Sequence, residues 1–87
     1  MERPRLYKVL LHNDDYTTRE FVVDLLRLVF HKDDAQAVQI MLHVHRQGIG
    51  VAGLYPREVA ETKVVMATHM AREHNFPLRL TLEAQED

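Results

Sequence analysis

The sequence predicts an α+β fold in the order β-α-α-β-α-β: a three-stranded antiparallel sheet with three helices packed on one face. Three short segments read as strands, three longer ones carry apolar residues at helical spacing, and no segment repeats another. Short strands and segregated helices suit a small antiparallel sheet covered on one side.

Tyr7-Lys8-Val9-Leu10-Leu11 alternates, with Tyr7, Val9 and Leu11 on one face, and stops at the turn-forming Asn13-Asp14-Asp15. Thr17 and Glu20 have the spacing of a capping box, and Phe21, Val22, Leu25, Leu26, Leu28 and Val29 follow as an apolar stripe. His31-Lys32 breaks the stripe, and Asp33 with Gln36 opens a second helix. Its Ala37, Val38, Met41, Val44 and His45 recur at threes and fours until Gly48. Ile49–Tyr55 reads as a second strand whose glycines predict a bulge or a close backbone approach. Pro56 suits a first helical turn, Val59–Glu73 forms the third helix, and Asn75 and Pro77 end it. Leu78-Arg79-Leu80-Thr81-Leu82-Glu83 alternates as the last strand.

Composition narrows the function. At 87 residues, 46% apolar and 28% charged, the chain supports one small core. Residues 7–83 are expected to form the domain, with 1–6 a short flexible segment and 84–87 a loose tail. No apolar run nears the ~20 residues that span a bilayer, and Met1–Arg5 shows no signal-peptide pattern. The absence of cysteine and serine excludes disulfides, thiolate metal sites, and thiol or serine nucleophiles. Three lysines and eight arginines are scattered among thirteen acids, for a net charge of −2. Phosphate binding needs clustered cations, so nucleic acid is not an expected partner.

The Asn13-Asp14-Asp15 triplet lies between a strand and a helix. Its plainest reading is a turn with acid placed favourably near a helix N-terminus. His43 and His45, two residues apart on a helix, point to opposite sides and make a poor metal pair. Asp14 or Asp15 with His45 resembles a base and its orienter, but no second activated group accompanies them. Binding is the remaining use. An amide oxygen, a carboxylate and a neutral imidazole suit a primary ammonium, which has three donors and no acceptor. Val22, Met41 and Val44 beside them suit an apolar side chain. Together they describe a site for a chain's first residue.

Tyr7-Lys8-Val9-Leu10-Leu11-His12-Asn13-Asp14-Asp15-Tyr16-Thr17 and Val59-Ala60-Glu61-Thr62-Lys63-Val64 closely resemble the ClpS adaptors, as does the segment through Met41, His45, Gln47 and Gly48. The resemblance runs from about Tyr7 to Leu82. It implies the family's β-α-α-β-α-β fold, shared with the C-terminal domain of the ribosomal stalk protein. It also implies a cytoplasmic N-degron adaptor, not an enzyme and without cofactor or metal. Such an adaptor captures proteins that begin with Leu, Phe, Tyr or Trp. It passes them to a ClpA- or ClpC-type AAA+ unfoldase for degradation by ClpP, with neither nucleic acid nor membrane as a partner. By position, Asn13, Asp14 and His45 would grip the α-amino group directly or through water, with Asp15 in support. Thr17, Arg19, Val22, Met41, Val44 and Leu78 would line the side-chain pocket, and Glu58 and Lys63 would dock on the unfoldase. The alternative is a small protein-interaction module of similar fold without N-terminal-residue recognition.

Three features depart from the family's pattern. Arg19 stands where an apolar gate residue that screens out β-branched side chains is usual. Its stem is expected to cover a pocket wall while the guanidinium stays wet, narrowing or altering the preference. His12 precedes the triplet where a smaller or apolar residue is common. About six residues precede the first strand, fewer than the family's usual N-terminal arm, which helps hand over substrate.

Overall fold

A computed structural model describes residues 3–86. The elements are β1 (Leu6–His12), α1 (Arg19–Leu28), α2 (Asp34–Gln47), β2 (Ile49–Pro56), α3 (Arg57–Glu73) and β3 (Arg79–Ala84). The predicted element order and the three-stranded antiparallel sheet are both present, with strand order β2-β1-β3. Residues at the chain ends differ from expectation: Leu6 and Ala84 belong to strands, and the Gln85 amide donates to the Leu6 carbonyl at 2.9 Å. Met1, Glu2 and Asp87, also expected to be loose, lie outside the described residues.

Because β1 is central, its middle is the most enclosed part of the sheet. Val9 and Leu11 point into the core, and Leu10 on the other face is also buried. In the β1–β2 register Val9 pairs with Gly53 but Leu10 with Val51, leaving Ala52 unpaired as the extra residue of a bulge. The bulge shifts the strand's phase, so Ile49, Val51 and Leu54 are all exposed although their spacing is not even.

α3 lies across all three strands, α2 packs on β2 and on α1. The α3 residues buried in the core are alanines, Ala60, Ala67 and Ala71, which let the helix approach closely. Phe21 of α1 meets Phe76 edge-on and His74 at an angle, both with centroids 5.0 Å apart. α3 ends in a Schellman motif: Phe76 N–H donates to the Ala71 carbonyl, Asn75 N–H to that of Arg72, and Asn75 takes the left-handed conformation.

Several local expectations need correction. The N-cap of α1 is Thr18, whose hydroxyl accepts from Phe21 N–H, and the Thr17–Glu20 capping box does not form. Leu28 and Val38, assigned to apolar stripes, are exposed; Leu28 sits at the stripe's edge in the last turn of α1. The Asp33–Gln36 capping box forms as expected, and Gly48 caps α2 at φ 87°.

Candidate functional site

The loop after β1 is anchored at both ends. Its first residue, Asn13, donates its backbone N–H to the Gly48 carbonyl at 2.9 Å, which ties the triplet to the turn ending α2. Asp14 then folds the loop onto itself. One carboxylate oxygen accepts from Tyr16 N–H at 2.8 Å and Thr17 N–H at 2.7 Å, and the other accepts from the Thr17 hydroxyl at 2.7 Å. Burial alone would raise the Asp14 pKa. The main-chain and hydroxyl bonds from Thr17, the Tyr16 bond and the Arg72 charge outweigh it and hold the carboxyl below the usual carboxylate range. Asp14 is therefore an ionised pin of the loop before it meets any ligand.

The facing wall comes from the C-terminal half of α2. Met41, Val44 and His45 share a side there because they are three and four apart. Gly50 of β2 brings this turn close to the sheet; a Cβ at that position would lie 2.7 Å from a Val44 methyl and 3.3 Å from the His43 ring. Between the loop, the start of α1 and this turn lies an open hollow of about 420 Å³. It brings together Asn13, Asp14, Asp15, Thr17, Arg19, Val22, Met41, Val44 and His45, drawn from two stretches of sequence, 13–22 and 41–45. Val22 and Val44 make an apolar floor, each less than a tenth exposed.

Leu78 is not on that wall. It is 1% exposed and belongs to the core, and its carbonyl accepts from Arg72. The hollow is also lined by Tyr16, Thr18 and Glu20, which sequence reasoning did not assign to it. Tyr16 and Thr18 flank Thr17 in the loop, so continuity along the chain was the available signal. His12 faces away, with Nε2 2.7 Å from the Thr81 hydroxyl on the open side of the sheet. The Arg19 side chain is exposed, in keeping with a guanidinium that stays in water, and its guanidinium also donates to His45 Nε2 at 2.7 Å. A guanidinium has no acceptor, so the His45 nitrogen supplies the lone pair.

At the start of α3, Glu58 is exposed and lines a shallow groove with Glu61, Thr62, Val65 and Met66. Lys63 does not present its charge there. Its ammonium donates to the Val29 carbonyl at the end of α1 at 2.6 Å and lies 5.6 Å from the centre of the Tyr55 ring. Among the described residues no helix is long and apolar enough to cross a membrane.

The family model described as "ATP-dependent Clp protease adaptor protein ClpS" matches residues 2–81. The ATP-dependent Clp protease adapter protein ClpS of Myxococcus xanthus is 59% identical over 86 residues, which is 99% of this chain and 80% of that protein. Its counterpart from Lawsonia intracellularis is 58% identical over 87 residues, all of this chain and 80% of that one. Among solved structures, Agrobacterium tumefaciens ClpS2 bound to L-phenylalaninamide superposes with a TM-score of 0.91 at 44% identity, covering 95% of this chain and 100% of that one. The chain therefore belongs to the ClpS family, adaptors of the ATP-dependent Clp protease rather than enzymes.

Proposed function

We propose that the hollow receives the first residue of a protein chain and that the adaptor, in the cytoplasm, hands this protein to a ClpA- or ClpC-type unfoldase for ClpP. The α-ammonium donates to the Asn13 amide oxygen and to His45 Nε2, while the Asp14 and Asp15 carboxylates supply compensating charge directly or through water. The side chain rests on Val22, Met41 and Val44, with Thr17 and the Arg19 stem at the sides. Leu, Phe, Tyr and Trp have the apolar bulk this floor rewards. Burying one contributes ~1.5–3 kcal/mol before ordering costs, and each charge-assisted hydrogen bond ~1.5–3 kcal/mol. Micromolar to submicromolar affinity follows.

One observation carries the reading: acceptors and carboxylates sit at the rim of a single hollow whose floor is apolar. The description of the Agrobacterium relative as bound to L-phenylalaninamide, a free amine beside an aromatic side chain, supports it. Glu58 and the groove along the first turns of α3 form the unfoldase-docking face, and Lys63 keeps that helix seated against α1 and Tyr55.

Fluorescence anisotropy with labelled peptides tests the assignment. Phe- and Leu-initiated peptides with free amines should bind, and a Ser-initiated peptide of otherwise identical sequence should bind at least tenfold more weakly. Equal binding of all three would remove the apolar pocket from the account.

A further inference from the structure

We infer that Arg19 competes internally with the incoming α-ammonium for His45 Nε2, so that the free site is latched and binding must displace the guanidinium. The inference rests on the seating of the first residue proposed above. Arg19 opens α1 and His45 lies in the last turn of α2, 26 residues away, yet the guanidinium reaches across the hollow to hydrogen-bond the ring at 2.7 Å. Both cations are donors only. An imidazole nitrogen has one lone pair in the ring plane, and it serves one of them at a time.

Charge reinforces the exclusion. The guanidinium is itself a cation and lines the same hollow as His45, so an α-ammonium arriving at the ring meets a like charge beside it. When a peptide takes His45, the guanidinium, on an exposed side chain, returns to water. The cost appears in the apparent affinity, which falls by the fraction of molecules whose latch is open. An exposed hydrogen bond of ordinary strength closes the latch by roughly two- to tenfold. Arg19→Met should therefore tighten binding by about that factor, by removing the competitor.

Calorimetry on the full chain and on Arg19→Met, titrated with a free-amine Phe-initiated peptide at ~0.1 M and ~1 M salt, tests this. Charge repulsion between separated groups is screened at ~1 M salt, whereas loss of a directly bonded competitor is not. A two- to tenfold gain that persists at high salt supports the latch. A gain that vanishes there assigns the effect to repulsion alone and overturns it, as does no gain while the unmodified chain binds. If neither protein binds, the seating at His45 fails and the latch with it. A second readout needs no variant. The Arg19 guanidinium NMR signals should show restricted rotation in the free protein and averaging once L-phenylalaninamide saturates the site; signals averaged in both states would overturn the latch.

Discussion

Replacing Gly50 by alanine is a small change with a large expected effect. The added methyl would stand 2.7 Å from a Val44 Cγ, closer than carbon atoms approach without displacement. Val44 cannot absorb this by rotating, because it is β-branched, 3% exposed and held in the last turn of α2. The helix turn has to move off the sheet, and overpacking of this kind costs ~1–3 kcal/mol. In a chain of this length each kcal/mol lowers Tm by about 4–8 °C. The same turn carries His45 and part of the hollow's floor, so affinity for a Phe-initiated peptide should fall at least tenfold alongside. Thermal unfolding followed by circular dichroism, together with peptide anisotropy, checks both. An alanine variant with Tm within a degree of the parent and undiminished peptide affinity would show that β2 and α2 are not in the tight apposition described.

Other perturbations separate the parts of the site. Removing the Thr17 hydroxyl in Thr17→Val takes one donor from Asp14, so its titration midpoint by NMR should move up towards the usual carboxylate value of ~3.9; an unchanged midpoint would mean the hydroxyl does not hold it. With Asp14 depressed in the folded state, the loop's stabilisation is full above that value and is lost as pH falls through the lowered one. His12, lowered first by burial and then by the Arg79 charge, should titrate below ~6.5; folding then gains stability above that pH and loses it on acidification, and a midpoint at or above ~6.5 would refute its enclosure. His45→Ala should weaken binding of a Phe-initiated peptide by ten- to a hundredfold with little change in Tm, since the ring is exposed; calorimetry showing unchanged affinity would strip His45 of its role.

Much of this arrangement was legible because local chemistry and tertiary structure agree. The strands followed from alternation, α2 was bracketed by Asp33, Gln36 and Gly48, and the second strand's glycines marked both its bulge and its contact with α2. The start of α1 misled because two threonines stand side by side. Glu20 favours Thr17 as the cap, but Asp14 takes the Thr17 hydroxyl, and Thr18 is left to cap Phe21 N–H. Such competition is decided by loop geometry that spacing does not encode. Leu78 was carried to the pocket by position in the family, yet the β3 entry turns it into the core. Lys63 lies on a helix whose start is exposed, and its ammonium found a carbonyl on α1, 34 residues away. The bond from Arg19 to His45 likewise joins groups brought together only by the packing of α1 against α2.

The proposed adaptor function depends on the charged amine at a polypeptide's start. Calorimetry with a Phe-initiated peptide and its N-acetylated twin tests that dependence most directly. Acetylation removes the charge and adds bulk, forfeiting at least two hydrogen bonds of ~1.5 kcal/mol each, so binding should weaken about a hundredfold or more. If the acetylated peptide binds as tightly as the free one, the rim of acceptors around Asn13 and His45 is not what recognises the ligand.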